Sequence, residues 1–202
     1  MAEPAYLTET FVPKPEKITG GILYAPVGTV VPTNAKDKLN AAFTELGYVS
    51  ADGVKIRKDS SDDGVDAWGG VEIRKIRTKF SESLSFKLYS TVSPDVLKAV
   101  LGADNVIVNG TDITVKHNAD IAPLQAFVIN TIDPATKVRK RYVIPEGQIL
   151  VTGDTTVSHS EMTALEVEVG AKADATGTGI YELIDVSGLS ARPAAAAVVP
   201  GG

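Results

Sequence analysis

Residues 82–89 read Glu-Ser-Leu-Ser-Phe-Lys-Leu-Tyr, the cleanest two-residue period in the chain, and place Leu84, Phe86 and Leu88 on one sheet face. Shorter apolar runs predict further strands at 18–26, 106–108, 113–115, 124–130, 138–144, 148–152, 163–169 and 179–186. Between two of them stands Asn109-Gly110, a hairpin signal because both residues tolerate positive φ. The 124–130 strand is apolar on both faces, Leu124, Ala126 and Val128 against Phe127 and Ile129. Such a strand is central in a sandwich or covered by a neighbouring subunit.

Helical spacing is confined to two short stretches. At 94–101, Val96, Leu97, Val100 and Leu101 share a face. Ser93 is placed to cap, Pro94 suits the first position, Asp95 complements the dipole and Gly102 supplies a left-handed stop. About two turns have little stability alone, so this helix is expected to pack on a sheet as a plug. At 36–46, Leu39, Phe43 and Leu46 follow Asn34 and predict a second short helix ending at Gly47.

Residues 54–91 depart from this compact pattern. Two alternating strands flank an acidic, Gly-containing tip at 59–70 that carries the only tryptophan, Trp68, and a third strand follows at once. A long hairpin with a polar tip suits a subunit that must reach a neighbour. Residues 1–17 carry Pro4, Pro13 and Pro15 and read as an extended arm. Residues 18–186 form the β domain, and 187–202, rich in Ala, Pro and Gly, read as a flexible tail.

Composition narrows the chemistry. The 202 residues suffice for one domain with a real core. A formal charge of −5 argues against a dedicated nucleic-acid binder. With no cysteine there is no disulfide framework, thiolate metal site or cysteine nucleophile. The first eleven residues lack the basic start and apolar run of a signal peptide, and no apolar stretch is long enough for a membrane helix.

Candidate sites fail one by one. His117 and His159 sit in no ligand cluster, and Ser158-His159-Ser160, taken as extended, would point neighbours to opposite faces. Asp59, Ser61, Asp63 and Gly64 match the first positions of a calcium loop, but its twelfth position is Gly70 rather than Glu. Gly177-Thr178-Gly179 lacks the third glycine and following helix of a dinucleotide loop. The basic run Lys137, Arg139, Lys140, Arg141 divides its charges between two strand faces, as a solvated or subunit-pairing strand would. No catalytic, cofactor-binding or metal-binding residue is expected. The chain reads as a non-enzyme.

Charge is unevenly spread. Arg74, Lys75, Arg77 and Lys79 cluster on the return strand of the hairpin, whereas Glu161, Glu166, Glu168, Asp174, Glu182 and Asp185 make a later stretch acidic. Complementary patches on one chain suit a head-to-tail interface.

The ordered set Leu46-Gly47-Tyr48-Val49-Ser50, Asp52-Gly53-Val54, Asp66-Ala67-Trp68-Gly69-Gly70, a Leu-Ser-Phe-Lys-Leu strand and the 94–101 helix resembles the major tail proteins, or tail tube subunits, of long-tailed non-contractile bacteriophages, actinobacteriophage versions in particular. The resemblance covers about residues 18–101 well and the later strands in outline. It implies a mainly β, antiparallel sandwich or barrel-like subunit with one flanking helix and a long hairpin loop, similar also to the ring-forming tube proteins of type VI secretion. It further implies six-membered rings that stack into a DNA-conducting tube, assembled in the host cytoplasm and carried in the virion.

On that pattern Asp59, Asp62, Asp63, Asp66, Trp68, Gly69 and Gly70 form the inter-ring loop. Arg74, Lys75, Arg77 and Lys79 are inter-subunit charges, and Glu166, Glu168 and Glu182 line an acidic lumen. Partners are the chain itself, tape measure and tail-end proteins, and DNA as a non-specific passenger, with no membrane. An immunoglobulin-like C-terminal domain of some members is expected to be absent or confined to a longer product. The alternative reading is a β-sandwich binding module for glycan or surface recognition on a virion, and a hydrolase ranks third for want of a triad.

Overall fold

The computed structural model describes residues 10–19 and 21–189. Eleven strands and one α-helix occur among them: β1 (Lys14–Pro15), β2 (Ile22–Pro26), β3 (Thr44–Glu45), β4 (Lys55–Asp66), β5 (Glu72–Leu88), α1 (Pro94–Leu101), β6 (Val106–Asn109), β7 (Asp112–Val115), β8 (Gln125–Ile132), β9 (Arg139–Val151), β10 (Leu165–Ala171) and β11 (Tyr181–Asp185). Nine strands form one antiparallel sheet in the order β3-β2-β8-β9-β10-β5-β4, with β1 alongside β8 and β11 alongside β9. β6 and β7 form a separate hairpin.

The sheet curls back on itself. Leu46 N donates to the Ile22 carbonyl at 3.0 Å, while Ser50 N donates to Lys87 O and Tyr89 N to Tyr48 O, both at 2.9 Å. Residues 44–50 therefore bond β2 with one half and the end of β5 with the other, giving the barrel-like sandwich expected. Inside sit Ile22, Leu46, Leu84, Phe86, Leu88, Phe127, Ile129, Ile144, Ile149, Val167 and Val169, all buried. Each large aliphatic or aromatic side chain so buried contributes about 1.5–3 kcal/mol.

α1 occupies the predicted residues and plugs this core with Val96, Ala99 and Val100. Its caps differ from expectation. The Ser93 side chain makes no capping bond, and Gly102 (φ 90°, ψ 144°) lies outside the left-handed helical region. The Gly102 N–H still closes the last turn on the Lys98 carbonyl at 3.0 Å.

The helix predicted at 36–46 is absent. Asn34 Oδ1 accepts from the amides of Lys36 and Asp37, and Asp37 Oδ2 accepts from those of Thr33 and Asn34. These local side-chain bonds give the backbone an alternative to helical turns. Pro145 does not end a strand either: the predicted 138–144 and 148–152 strands are one strand, β9. Register slips between Gln125 and Phe127, where Gln125 faces Gly147 and Phe127 faces Ile144. A bulge at Pro145 accommodates the residue that has no N–H to give the ladder.

β8 is central, and its second face is covered within the subunit: Ala126, Val128 and Val143 are buried, and a loop that carries buried Ala35 is bonded to the same sheet. Arg141, read as a solvated or pairing charge, is also buried there, because its guanidinium ties that loop to the sheet. In the β6–β7 hairpin Asn109 pairs with Asp112, so the turn is Gly110-Thr111, and only Gly110 has positive φ (62°). Glycine at the first central position suits a type II′ turn.

Candidate assembly surfaces

β4 and β5 pair along their whole shared length, but β10 leaves β5 at Glu82. Residues 59–66 and 72–81 have no other sheet neighbour, so an arm of roughly 30 Å projects from the body at strand rise. All twelve residues of β4 and the first ten of β5 are exposed. An isolated two-stranded ribbon is marginal in water. This one also displays Val65, Val71, Ile73, Ile76 and Phe80, each 41% or more exposed.

The tip is smaller than the 59–70 expected from its polar residues. Asp59, Asp62, Asp63 and Asp66 lie in β4, and what was read as a second and third strand is the single strand β5. Strand geometry tolerates these aspartates because both faces are solvated. Only Ala67, Trp68, Gly69 and Gly70 make the turn proper, with Ala67 N donating to Val71 O at 2.8 Å and Gly70 N to Ala67 O at 3.0 Å. Gly69 (φ 116°) and Gly70 (φ 81°) adopt angles that side chains disfavour. Trp68 is wholly exposed at the apex.

Two register shifts, at Ser61/Asp62 and Val65/Asp66, coil the arm. The first brings Asp62 opposite Arg77, whose Nε donates to Asp62 Oδ1 at 3.0 Å and whose pKa that bond raises. Arg57 pairs with Asp59 at 2.8 Å and Lys75 with Glu72 at 3.8 Å. One pair, Arg77–Asp62, thus crosses between the strands of the arm, and the other two lie within β4 and within β5. Asp63, Asp66, Arg74 and Lys79 have no ion-pair partner among the described residues.

The three acids expected to line a lumen, Glu166, Glu168 and Glu182, lie on β10 and β11. Glu166 and Glu168 alternate with buried Val167 and Val169, so they face away from the core. Glu166 is bonded by Lys87, whose pKa it raises, and Glu182 accepts from Lys140 at 3.0 Å. Glu168 alone of the three has no ion pair among the described residues. β10 and β11 run along one edge of β9, leaving the far edge of β11 open.

The described chain ends meet at the β8–β9 turn. Val12 N donates to Asp133 at 3.1 Å, Glu16 pairs with Arg139 at 3.4 Å, and Lys140 lies 5.1 Å from the Phe11 ring centroid. Gly188 sits so close to the Thr136 carbonyl that an added Cβ would come within 2.5 Å of it. The described part of the 1–17 arm therefore lies against the sheet. The remainder of that arm, and most of the 187–202 tail, lie outside the described residues.

Sequence reasoning missed the apolar side chains of the arm. Val71, Ile73, Ile76 and Phe80 keep no single period because the shifts break it, and that broken alternation was the available signal. The Ser158–Ser160 segment is a loop rather than a strand: its two hydroxyls bond each other at 2.8 Å. Among the described residues no group of three His, Asp or Glu side chains is arranged to hold a metal.

No curated protein matches the chain. A family model described as phage tail tube protein matches residues 17–195. That match favours a structural role over glycan recognition, and it implies a virion tail component that assembles with itself and with other tail proteins. A mainly antiparallel β body, one plugging helix and a projecting arm agree with it, and the chain belongs to the phage tail tube protein family.

Proposed function

We propose that this subunit polymerises as stacked rings, six subunits to a ring as the resemblance implies, into a tube that conducts DNA during ejection. The observation that carries the stacking is the arm: an exposed ribbon with apolar side chains on both strands and no further sheet partner among the described residues. Asp59, Asp62, Asp63, Asp66, Trp68, Gly69 and Gly70 belong to the inter-ring contact, with Arg74, Lys75, Arg77 and Lys79 as its charged flank. Ring closure uses the open edge of β11, which removes an edge liability. Terminal segments 1–17 and 187–202 act as further bridges, with residues 18–186 as the tube domain.

Glu166, Glu168 and Glu182 are assigned to the lumen. A net charge of −5 supports a wall that repels phosphates rather than neutralising them, so DNA slides as a passenger. Tape measure and tail-end proteins are the further partners, met during assembly in the host cytoplasm.

Electron microscopy of the purified chain tests this reading. Hollow rings or tubes are expected. Replacing residues 59–81 by an Asn-Gly turn between the paired Lys58 and Glu82 is expected to leave a folded subunit that forms none. A strictly monomeric wild type under all assembly conditions would remove the proposal. Normal tubes from the shortened variant would remove only the role of the arm.

A further inference from the structure

A groove of about 490 Å³ opens at the root of the arm. Pro13, Pro15 and Ile18 form one wall, and Ala51, Val54 and Ile56 the other. Its volume lies within the roughly 300–1,000 Å³ of small-molecule sites, ample for one indole. Ile18 is 86% exposed and Ile56 39%, so the lips present apolar surface to water. Asp52 stands on the second wall with no ion-pair partner among the described residues; nearby Lys87 is bonded to Glu166.

The matching shape lies at the other end of the arm. Trp68 is the chain's only tryptophan and is wholly exposed on a two-glycine turn, with Val71 beside it. Just behind it, Arg74 has no ion-pair partner among the described residues. Knob and groove both present apolar surface, and of the two charges without an ion pair beside the knob, Asp66 and Arg74, the second is opposite in sign to Asp52. Tryptophan and arginine are the residues that most often anchor interfaces.

Resting on the reading of the chain as a self-stacking tube subunit, we infer that Trp68 of one copy seats in the groove of the next copy along the tube, with Arg74 facing Asp52. Because knob and groove occupy different parts of the surface, the contact is head-to-tail, and set along the tube axis it repeats from ring to ring. Its vector runs from Ile56 to Trp68, twelve residues at strand rise, so successive copies are offset by at most roughly 40 Å.

The lone tryptophan and the absence of cysteine make the test direct. On tube formation Trp68 emission should shift to the blue and acrylamide quenching should fall. The Ile18→Glu variant, altered at an exposed position, should keep the wild-type melting curve and lose both changes. In an Ala67→Cys/Ala51→Cys double variant, oxidation of assembled tubes should give a ladder of multiples of the chain mass.

Tubes in which Trp68 stays fully quenchable, or that give no ladder, would overturn the seat while leaving the tube reading intact. The same holds if Ala51→Cys links within one chain to Ala5→Cys or Ala196→Cys, since the groove would then hold the chain's own terminal segment. Failure of the wild type to form tubes would remove both readings together.

Discussion

Arg141 Nε donates to the side-chain oxygen of Asn130 at 2.6 Å, across paired positions of β9 and β8. Its Nη1 reaches the carbonyls of Asn34 and Asp37, each at 2.9 Å. One guanidinium thus replaces the helix that the 36–46 pattern predicts with a loop tied to the sheet. Arg141→Ala should destabilise the subunit by about 2–4 kcal/mol, since charged hydrogen bonds contribute roughly 1.5–3 kcal/mol each and the loop relaxes partly into water. Arg141→Lys should recover little, because an ammonium cannot span three acceptors set in a fork. Chemical denaturation gives the energies, and faster hydrogen exchange at residues 33–38 would localise the loss.

The boundary between body and arm runs through β5, between exposed Ser81 and buried Glu82. Leu84→Ala, at 1% exposure, should cost about 2–5 kcal/mol. Phe80→Ser, on the same strand but half exposed, should change subunit stability by no more than about 0.5 kcal/mol. Equal losses in thermal melts of the two variants would mean that the arm folds back on the body.

Gly147 stands where β8, β9 and β10 converge. A Cβ there would lie 2.8 Å from Phe127 and 2.9 Å from Val169, both fully enclosed. Gly147→Ala should therefore cost about 1–3 kcal/mol through overpacking, read as a lowered melting temperature. A neutral result would show that the crossing has slack.

The Asp133 carboxylate accepts the amides of Val12, Ala135 and Thr136, and these bonds hold its pKa below the ordinary value. A depressed folded pKa contributes stability that is present above about pH 4 and lost as pH falls through the folded value. The melting-temperature gap between wild type and Asp133→Asn should therefore be widest near neutrality and narrow toward about pH 2. The protection factor of the Val12 amide against hydrogen exchange, taken relative to the intrinsic rate at each pH, should fall over the same interval. A gap independent of pH would show that the charge of Asp133 does not hold the N-terminal segment.

Several elements were legible because their causes are local. The 94–101 helix follows from the proline, the first-turn acid and the apolar spacing, none of which depends on distant residues. The 82–88 alternation survives because a sheet face imposes a two-residue period wherever one side is buried. The two-faced apolar strand at 124–130 left a central position or cover by a neighbouring subunit open, and β8 is central.

The arm was legible as a departure from this pattern, but its extent was not. Aspartate and serine normally mark turns, and at positions 59–66 they read as a tip. They remain in strand conformation because β5 supplies a partner through two register shifts that no local pattern announces.

By itself, the sequence determined the β class, the plugging helix at 94–101 and the reach of residues 54–91, since each follows from neighbours within a few positions. Tertiary structure decided that residues 36–46 are a loop, that Pro145 bulges one strand instead of ending it, and that the groove stands a full arm's length from Trp68. Those outcomes depend on hydrogen bonds and contacts between residues from roughly twenty to a hundred positions apart, where the gain from burial and pairing outweighs local preference.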